Sequence, residues 1–271
     1  MYEKELAAAL EAARRAGEYL VSAYEAFVTI PDAPADISTA ADRQSQELIL
    51  RHLHETFPGD ALCAEERTPT LDAAAHTGER LWIVDPIDGT RGFAQKNGEF
   101  SVMIGFVDRG AVAVGVVLEP VGWRLTRAVR GGGCWLQIGP AGEARRVSVS
   151  RTADLAAATL VQSRTKDPSR PSKQVGALRP GKVFETHSAG VKLARVARGE
   201  GDLYVNHYPC FHDWDICAGH ILVTEAGGRV TGLRGEEIHY GRPGAEQTHG
   251  LLASNAHLHA AALGRLAGMT L

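Results

Sequence analysis

The N-terminal part of the chain shows the apolar spacing of amphipathic helices. Apolar side chains recur every three to four residues from residue 3 to residue 27, which predicts a helix over this range. The apolar positions of this helix include Leu6, Leu10, Ala13, Leu20, Val21 and Tyr24. A turn-rich stretch follows at 31–38, and a second helix is predicted over 40–57, where Pro58 and Gly59 end it. The chain is therefore expected to open with two helices.

Beyond residue 80 the apolar positions form short runs that are typical of buried strands. Predicted strands occupy 81–84, 102–107, 112–118, 159–162, 183–186, 203–205 and 251–253. Predicted helices occupy 189–198, 214–225 and a last segment through about residue 266, with Asn255 as its cap. This mixed order, which is not a strict βαβ alternation, predicts an α+β fold of layered helices and sheets. The length predicts one domain over 1–271, made of two fused halves at about 1–150 and 151–271.

The overall charge limits the possible partners. The net charge is −3 and the pI is about 6.4, so no global field favours a nucleic-acid polymer or an anionic membrane. No apolar run reaches the ~18 residues that span a bilayer, and the first residues lack the apolar core of a signal peptide, so we expect a cytoplasmic protein. The cysteines form no CxxC pair, which argues against structural zinc. A phosphate ligand would need local positive charge, and a bound metal ion is one source.

The segment from Trp82 to Thr90, WIVDPIDGT, carries the most informative chemistry. Asp85 and Asp88 lie three positions apart at the end of a predicted buried strand, and Pro86 stiffens the turn between them. Gly89 permits tight backbone geometry, and the amides of Gly89 and Thr90 could face a phosphate. Oxygen ligands of this kind suit Mg²⁺. Taken alone, the same pattern also fits a surface turn that closes a strand.

Three further acidic features favour a metal site over a simple turn. Glu65 and Glu66 precede the segment, and Asp42 lies on the second predicted helix. Asp213 and Asp215 begin the later helix, and Asp215 lies within the segment WDICAGHILVTEAGG. Together with Asp85 and Asp88, these residues provide enough carboxylates to hold more than one cation.

The two motifs, WIVDPIDGT and WDICAGHILVTEAGG, resemble those of the inositol monophosphatase superfamily, which contains Mg²⁺-dependent, typically lithium-sensitive phosphatases. The resemblance extends from Asp42 to Asn255 and implies a layered α-β-α-β-α sandwich, two or three Mg²⁺ ions and possible homodimers. It implies metal ligation by Glu65, Asp85, the Ile87 carbonyl, Asp88 and Asp215. It also implies that Asp42 and Thr90 orient an attacking water, and that substrate contacts come from Gly89, Thr90 and Asp215. Glu66 is either a further ligand or a salt-bridged neighbour of the site.

The mechanism that the resemblance implies is direct attack by a metal-activated water on a phosphomonoester, without a covalent nucleophile. One rival is a haloacid-dehalogenase-type phosphatase, which uses an aspartyl nucleophile in a DxDGT pattern. Asp85 and Asp88 have one more residue between them than that pattern allows. The spacing therefore favours the metal-based mechanism.

The substrate is predicted from residues outside the metal motifs. Inositol-specific members of the superfamily carry a glutamate where this chain has Tyr208, which argues against inositol phosphates. The segment Ser188–Lys192 resembles that of bisphosphate nucleotidases, and Lys192 could pair with a second phosphate or be a solvated helix lysine. We therefore predict a 3′(2′),5′-bisphosphate nucleotidase acting on 3′-phosphoadenosine 5′-phosphate. The alternative is an inositol monophosphatase or a broad-specificity sugar or histidinol phosphatase.

Overall fold

Two long helices begin the fold and confirm the first two predicted elements. The computed structural model describes residues 1–34, 36–165, 170–208 and 211–268. Helix α1 spans Glu3–Ala26 and helix α2 spans Ala40–Thr56. Helix α2 begins with a capping box, in which the Thr39 side chain accepts a hydrogen bond from Ala41 N and Asp42 accepts from Thr39. The cap fixes the position of Asp42 at the start of the helix.

A seven-stranded sheet follows these helices, with its strands in sequential order. Its strands are β1 Ala61–Ala64, β2 Arg80–Asp88, β3 Ser101–Asp108, β4 Ala111–Glu119, β5 Arg124–Val129, β6 Gly133–Ile138 and β7 Arg145–Val147. Strands β1 and β2 are parallel, and each later strand is antiparallel to its predecessor. Two short helices, α3 Pro69–Ala73 and α4 Thr90–Ala94, flank β2 along the chain.

The second half of the chain forms a five-stranded sheet of mixed direction, ordered β12-β14-β10-β8-β9. Its strands are β8 Thr159–Gln162, β9 Lys182–Glu185, β10 Leu203–Asn206, β12 Gly228–Thr231 and β14 Leu251–Asn255. The helices of this half are α5 Lys173–Leu178, α6 Ala189–Ala197, α7 Asp213–Glu225 and α8 His259–Leu266, and Leu155–Ala157 forms a 3₁₀ turn. A small pair, β11 Phe211–His212 with β13 Glu246–Gln247, completes the topology.

The elements stack as α-β-α-β-α layers, which confirms the predicted fold. Helices α1 and α2 cover one face of the seven-stranded sheet, and α6 and α7 lie between the two sheets. Helices α5 and α8 pack together, and α8 contacts the five-stranded sheet. Alternate residues of β3 divide between the layers, since Ile104 and Phe106 face the α1–α2 side while Met103 and Val107 face the α7 side. None of the helices in the described ranges has the length and hydropathy of a bilayer span.

Close contact between α7 and the large sheet depends on a glycine in β4. A Cβ atom added to Gly115 would lie 2.4 Å from the Ala218 carbonyl oxygen, a distance that would force the helix away. Without that side chain, α7 packs directly on β3 and β4. The beginning of α7, which carries Asp215, is thereby held near the end of the neighbouring strand β2.

Two details of the predicted elements are wrong. Strand β2 does not stop at Val84 but continues through Asp88. Asn255 does not cap the last helix, because it is the final residue of β14 and the position before α8 is Leu258. Its side chain instead accepts a hydrogen bond from Leu258 N at 2.9 Å and donates to the Thr152 carbonyl at 3.0 Å. The amide thus joins β14 to the chain that precedes β8.

Candidate active site

A β-bulge in β2 places the two aspartates of the WIVDPIDGT motif together. Residues three apart on a regular strand point to opposite faces of the sheet. Here Asp85 pairs with Met103 and Asp88 with Ser101, so β2 has one more residue than β3 between the two pairs. Because of the extra residue, the two carboxylates lie on the same side of the sheet. Pro86 lies at this bulge. Proline has no backbone N–H, and a residue at a bulge does not need one for the hydrogen bonds between the strands.

Asp215 joins these two aspartates from the first turn of α7. Asp85, Asp88 and Asp215 each offer one carboxylate oxygen, and the three oxygens lie within 4.8 Å of one another. Asp215 is held in place by the backbone N–H of His212, which donates to its Oδ2 at 2.6 Å. The structure thus brings together three of the predicted metal ligands from two distant parts of the chain.

Asp88 is held by a cradle of donors at the start of α6. Its Oδ2 accepts hydrogen bonds from the Ser188 hydroxyl, from Gly190 N at 2.7 Å and from Ser101 Oγ at 3.2 Å. Its Oδ1 accepts one from Ala189 N at 3.0 Å. These donors were not predicted from the sequence. Ser188, in a position to cap a predicted helix, was the signal that could have indicated them.

Asp85 is buried and surrounded by other acids. Its Oδ1 accepts a hydrogen bond from Ile87 N at 3.1 Å. Burial, followed by the charges of Glu65, Asp88 and Asp215, raises its pKa well above the ordinary range. Burial and the Asp88 charge likewise raise the pKa of Asp215 to about 7. A cation between these groups would favour their ionised forms.

The two neighbouring glutamates take different positions. Glu65 lines the same cavity as the aspartates. Although Glu65 keeps solvent contact, desolvation by the surrounding protein and then the charges of Asp215 and Asp42 raise its pKa to about 8. Glu66 lies outside the cavity lining; it accepts a hydrogen bond from Ser38 Oγ at 2.5 Å, and its backbone N–H donates to Gln46 Oε1 at 2.8 Å.

Thr90 and Asp42 form a buried hydrogen-bonded pair beside the aspartates. Thr90 Oγ1 lies 2.8 Å from Asp42 Oδ1 and 2.9 Å from the Ile87 carbonyl oxygen. The other oxygen of Asp42, Oδ2, accepts from Thr39 N and Thr39 Oγ1 at 2.8 and 2.6 Å. Burial raises the pKa of Asp42. The helix cap and the Thr90 contact therefore use separate oxygens of one carboxylate.

Gly89 makes the tight turn between β2 and α4. Its backbone is left-handed, with φ 86°, and an added Cβ would lie 2.7 Å from the Glu99 carbonyl oxygen. Only glycine fits this position without displacing the chain. Gly89 and Thr90 both line the cavity above the aspartates.

The cavity has a volume of about 720 Å³ and two chemically different sides. One side, which we call the acidic wall, consists of Glu65, Asp85, Asp88 and Asp215. The other side, which we call the polar wall, consists of Gln162, Arg164, Gln174, His207 and Tyr208. The polar wall comes from the end of β8 and the segment after it, from α5, and from the segment after β10, all in the second half of the chain. None of these residues was predicted as a substrate contact; Tyr208 was noted only because it replaces the glutamate of inositol-specific members.

Lys192 lies in the protein interior and is not among the residues that line the cavity. Its side chain is buried, and its Nζ donates to Ser163 Oγ at 3.2 Å and to the carbonyl oxygens of Thr186 and His187 at 3.3 and 3.1 Å. Burial lowers its pKa to about 8. The structure therefore does not bring Lys192 to the cavity surface with the other predicted site residues, and it is not a solvated helix lysine.

Comparison with known proteins places the site in a family. The model of the "Inositol monophosphatase family" matches residues 1–268. The fructose-1,6-bisphosphatase/inositol-1-monophosphatase of Thermotoga maritima is 34% identical over 207 residues, covering 74% of this chain and 73% of that protein. The 3′(2′),5′-bisphosphate nucleotidase CysQ of Salmonella typhimurium is 30% identical over 237 residues, covering 84% and 90%.

A solved structure agrees with the sequence comparisons. The inositol monophosphatase from Anabaena (Nostoc) sp. PCC 7120 superposes with a TM-score of 0.79 at 28% identity, covering 98% of this chain and 96% of that one. The match therefore includes both sheets and the cavity between the two walls. The chain belongs to the inositol monophosphatase family, whose members are metal-dependent phosphatases that hydrolyse phosphomonoesters.

Proposed function

We propose that the acidic wall holds two or three Mg²⁺ ions and that a water molecule activated there attacks the phosphate of a small phosphomonoester. The observation that supports this most directly is the approach of three carboxylate oxygens, from Asp85, Asp88 and Asp215, to within 4.8 Å. Oxygen donors of this type match the coordination preference of Mg²⁺. Burial and the neighbouring acids raise the pKa of Asp85, so bound cations would favour its ionised form.

Each side chain of the acidic wall has a defined role in this proposal. The ions would be held by the carboxylates of Asp85, Asp88, Asp215 and Glu65 and by the Ile87 carbonyl, which are all oxygen donors. When bound, Mg²⁺ supplies charge that neutralises the phosphate and lowers the pKa of a coordinated water. The donors at the start of α6, together with Ser101 on β3, keep the Asp88 carboxylate oriented toward the other acids, because they bind both of its oxygens.

Thr90 and Asp42 handle the proton of the attacking water. In this proposal the water donates to Thr90 Oγ1, whose own proton is directed to Asp42 Oδ1. The burial that raises the pKa of Asp42 makes it a better proton acceptor than an exposed aspartate. The Gly89 and Thr90 amides bind the phosphate oxygens at the turn where α4 begins.

The preferred substrate is 3′-phosphoadenosine 5′-phosphate, and the activity is that of a 3′(2′),5′-bisphosphate nucleotidase. Arg91 lines the cavity and provides positive charge for a second phosphate, whereas Arg164, which also lines it, is ion-paired with Glu99. Tyr208 stands where an inositol-specific site would carry an acid. Lys192 is not among the proposed contacts because it lies outside the cavity lining. The alternative, an inositol monophosphatase or a broad-specificity sugar or histidinol phosphatase, is supported by the similarity to the Thermotoga maritima protein named for two activities.

A substrate panel tests the proposal. Phosphate release from 3′-phosphoadenosine 5′-phosphate, inositol 1-phosphate and histidinol phosphate is measured with Mg²⁺, with a chelator, and with Mg²⁺ plus Li⁺. We expect Mg²⁺-dependent, Li⁺-inhibited release that is fastest from the nucleotide. Equal release in the chelator would contradict metal dependence, whereas faster release from inositol 1-phosphate would contradict only the preferred substrate.

A further inference from the structure

We propose that Gln174, His207 and Tyr208 form a platform that binds the heteroaromatic base of a nucleotide substrate. This inference rests on the proposed phosphatase function and adds the part of the cavity that distinguishes a nucleotide from a polyol phosphate. The three residues belong to the polar wall. Gln174 contacts His207, and His207 contacts Tyr208. They lie in the same cavity as the acidic wall, so a base on the platform and a phosphate at the metal ligands can belong to one molecule.

The Tyr208 ring is the exposed aromatic surface of the platform. Tyr208 is 54% exposed, an unusual degree for a ring of its size inside a cavity. One side of the ring stacks on His207, with centroids 5.2 Å apart and planes 20° from parallel. The Tyr208 backbone N–H donates to Asn206 Oδ1 at 3.0 Å, which holds the backbone in place directly after β10. Any planar nucleobase can stack on an aromatic ring of this kind, because every base has a π face.

His207 holds the two other members of the platform together. Its Nδ1 lies 2.8 Å from Gln174 Nε2, and because Gln174 Nε2 carries only donors, Nδ1 acts as the acceptor. Burial, and then the nearby charge of Lys173, lowers the pKa of His207, so its ring is neutral at pH 7. This neutral, flat ring supports the Tyr208 ring from one side and adds no charge of its own.

Gln174, which lines the cavity, carries an unpaired hydrogen-bond acceptor on its side chain. Gln174 is 6% exposed, and its Oε1 is buried without a hydrogen-bond partner. The neighbouring Gln162 shows the contrast, since its Oε1 accepts from Ser172 Oγ at 2.6 Å and its Nε2 donates to Glu185 Oε1 at 2.8 Å. A buried carbonyl without a donor is unfavourable, so Gln174 Oε1 is suited to a donor that the ligand brings. The exocyclic amine of adenine is such a donor.

A cyclic polyol such as inositol would bind this part of the polar wall less well than an aminopurine. An inositol ring is not planar and has no π face to stack on Tyr208, although its hydroxyl groups could donate to Gln174. The combination of one stacking surface and one in-plane acceptor therefore favours an aminopurine over a cyclic polyol. This is a difference in recognition, and it leaves the reaction at the acidic wall unchanged.

The first test measures kcat and KM of Tyr208→Leu and Tyr208→Phe with 3′-phosphoadenosine 5′-phosphate and with inositol 1-phosphate. For Tyr208→Leu we expect KM for the nucleotide to rise about tenfold, within the range for loss of one base–aromatic stack, with kcat little changed. KM for inositol 1-phosphate should stay within about twofold of the wild type, and Tyr208→Phe should behave as the wild type. An equal rise in KM for both substrates would overturn the platform, as would wild-type hydrolysis of the inositol ester alone.

The second test isolates the acceptor on Gln174. Wild-type protein should prefer the adenine nucleotide over its hypoxanthine analogue, which has an oxo group in place of the exocyclic amine, and Gln174→Leu should abolish this preference. An unchanged preference in Gln174→Leu would contradict the assignment. The unfolding temperatures of all variants are measured alongside, so that a misfolded protein is recognised.

A binding measurement separates this inference from the proposed function. Calorimetry with adenosine 5′-monophosphate should show binding to the wild type that Tyr208→Leu weakens at least fivefold. Absence of hydrolysis of every phosphomonoester with Mg²⁺, together with this binding, would overturn the proposed function and leave the platform in place. Absence of wild-type binding would overturn the platform itself.

Discussion

The acidic wall and the polar wall of the cavity are built in different ways. On the acidic wall, Asp85, Asp88 and Asp215 accept hydrogen bonds from backbone N–H groups of their own or neighbouring elements. On the polar wall, side chains bond mainly to other side chains, as Gln174 does to His207. Backbone donors hold a charged group rigidly, whereas a network of side chains can change by single substitutions. This difference supports the proposal that the acidic wall carries the reaction and that the polar wall selects the substrate.

The largest effect is expected from an acidic-wall substitution with a matched control on the same helix. Asp215→Asn should lower kcat about 10³-fold, the scale for loss of one group that stabilises transition-state charge, because Asp215 is a proposed metal ligand. It should leave the metal-free unfolding temperature equal or higher, since the pKa of Asp215 is raised to about 7 by burial and the Asp88 charge. Both quantities are measured by steady-state kinetics and by calorimetry in a chelator.

Asp213→Asn is the control for that comparison. Asp213 is two positions away, but its carboxylate accepts from Gly241 N at 2.8 Å and Gln247 Nε2 at 2.7 Å and does not line the cavity. We expect it to lower stability, by about 1–3 kcal/mol for a buried hydrogen bond left unmade, with activity within a few-fold of wild type. A large loss of activity in Asp213→Asn with none in Asp215→Asn would reverse the assignment.

A smaller effect is expected at Thr90, the residue that we propose directs the attacking water. Thr90→Val removes the hydroxyl that contacts Asp42 Oδ1 at 2.8 Å and keeps the shape of the side chain. We expect kcat to fall about 10²-fold, the lower range for general acid–base catalysis, with little change in the Mg²⁺ concentration that gives half-maximal activity. Thr90→Ser keeps the hydroxyl and should lose less than about fivefold in kcat. Equal kcat in Thr90→Val and wild type would show that the pair does not move the proton.

The smallest expected effect is a pH dependence of stability that only the metal-free protein shows. The folded-state pKa values of Glu65 and Asp215 are raised to about 8 and about 7, above the 4.5 and 3.8 of the free side chains. The folded protein therefore retains protons that the unfolded chain has released, so its stability is lost as pH rises toward 8. Buried His220 and His259, with pKa lowered to about 4 by burial, no longer titrate in either state well above pH 6.5.

Thermal unfolding in a chelator between pH 6.5 and 8.5 measures this effect. The unfolding temperature should fall by several degrees over this range, on the scale of about 2–4 °C per kcal/mol for a chain of this size. Saturating Mg²⁺ should remove most of the decrease, because the cations replace the missing protons as the source of positive charge. A metal-free protein whose stability rises over this range would contradict the raised pKa values.

The acidic wall could be predicted from the sequence because its residues lie in contiguous motifs. Asp85, Asp88, Gly89 and Thr90 occur within one segment, and Asp215 begins a helix with a clear apolar pattern. The bulge that turns Asp85 and Asp88 to the same side could not be predicted, since it depends on the register between β2 and β3. Register is a property of two strands and of the core between them, and it is not recorded in either strand alone.

The polar wall could not be predicted for the opposite reason. Gln162, Gln174 and His207 are separated by other elements and share no spacing that indicates chemistry. The position of Lys192 could not be predicted either. The segment Ser-Ala-Gly-Val-Lys does not show whether the lysine ammonium group faces a cavity or donates hydrogen bonds to buried carbonyls. Its three acceptors, Ser163, Thr186 and His187, come from chain segments that only folding brings together.

The most direct test of the account is anomalous scattering from crystals soaked in Mn²⁺, which uses the same oxygen ligands as Mg²⁺. We predict at least two peaks that share Asp85, about 3.5–4 Å apart, with Asp88 and Asp215 on one ion and Glu65 on the other. A soaked crystal that diffracts well, shows no peak at these carboxylates and keeps Asp85, Asp88 and Asp215 in the arrangement described would contradict the central claim.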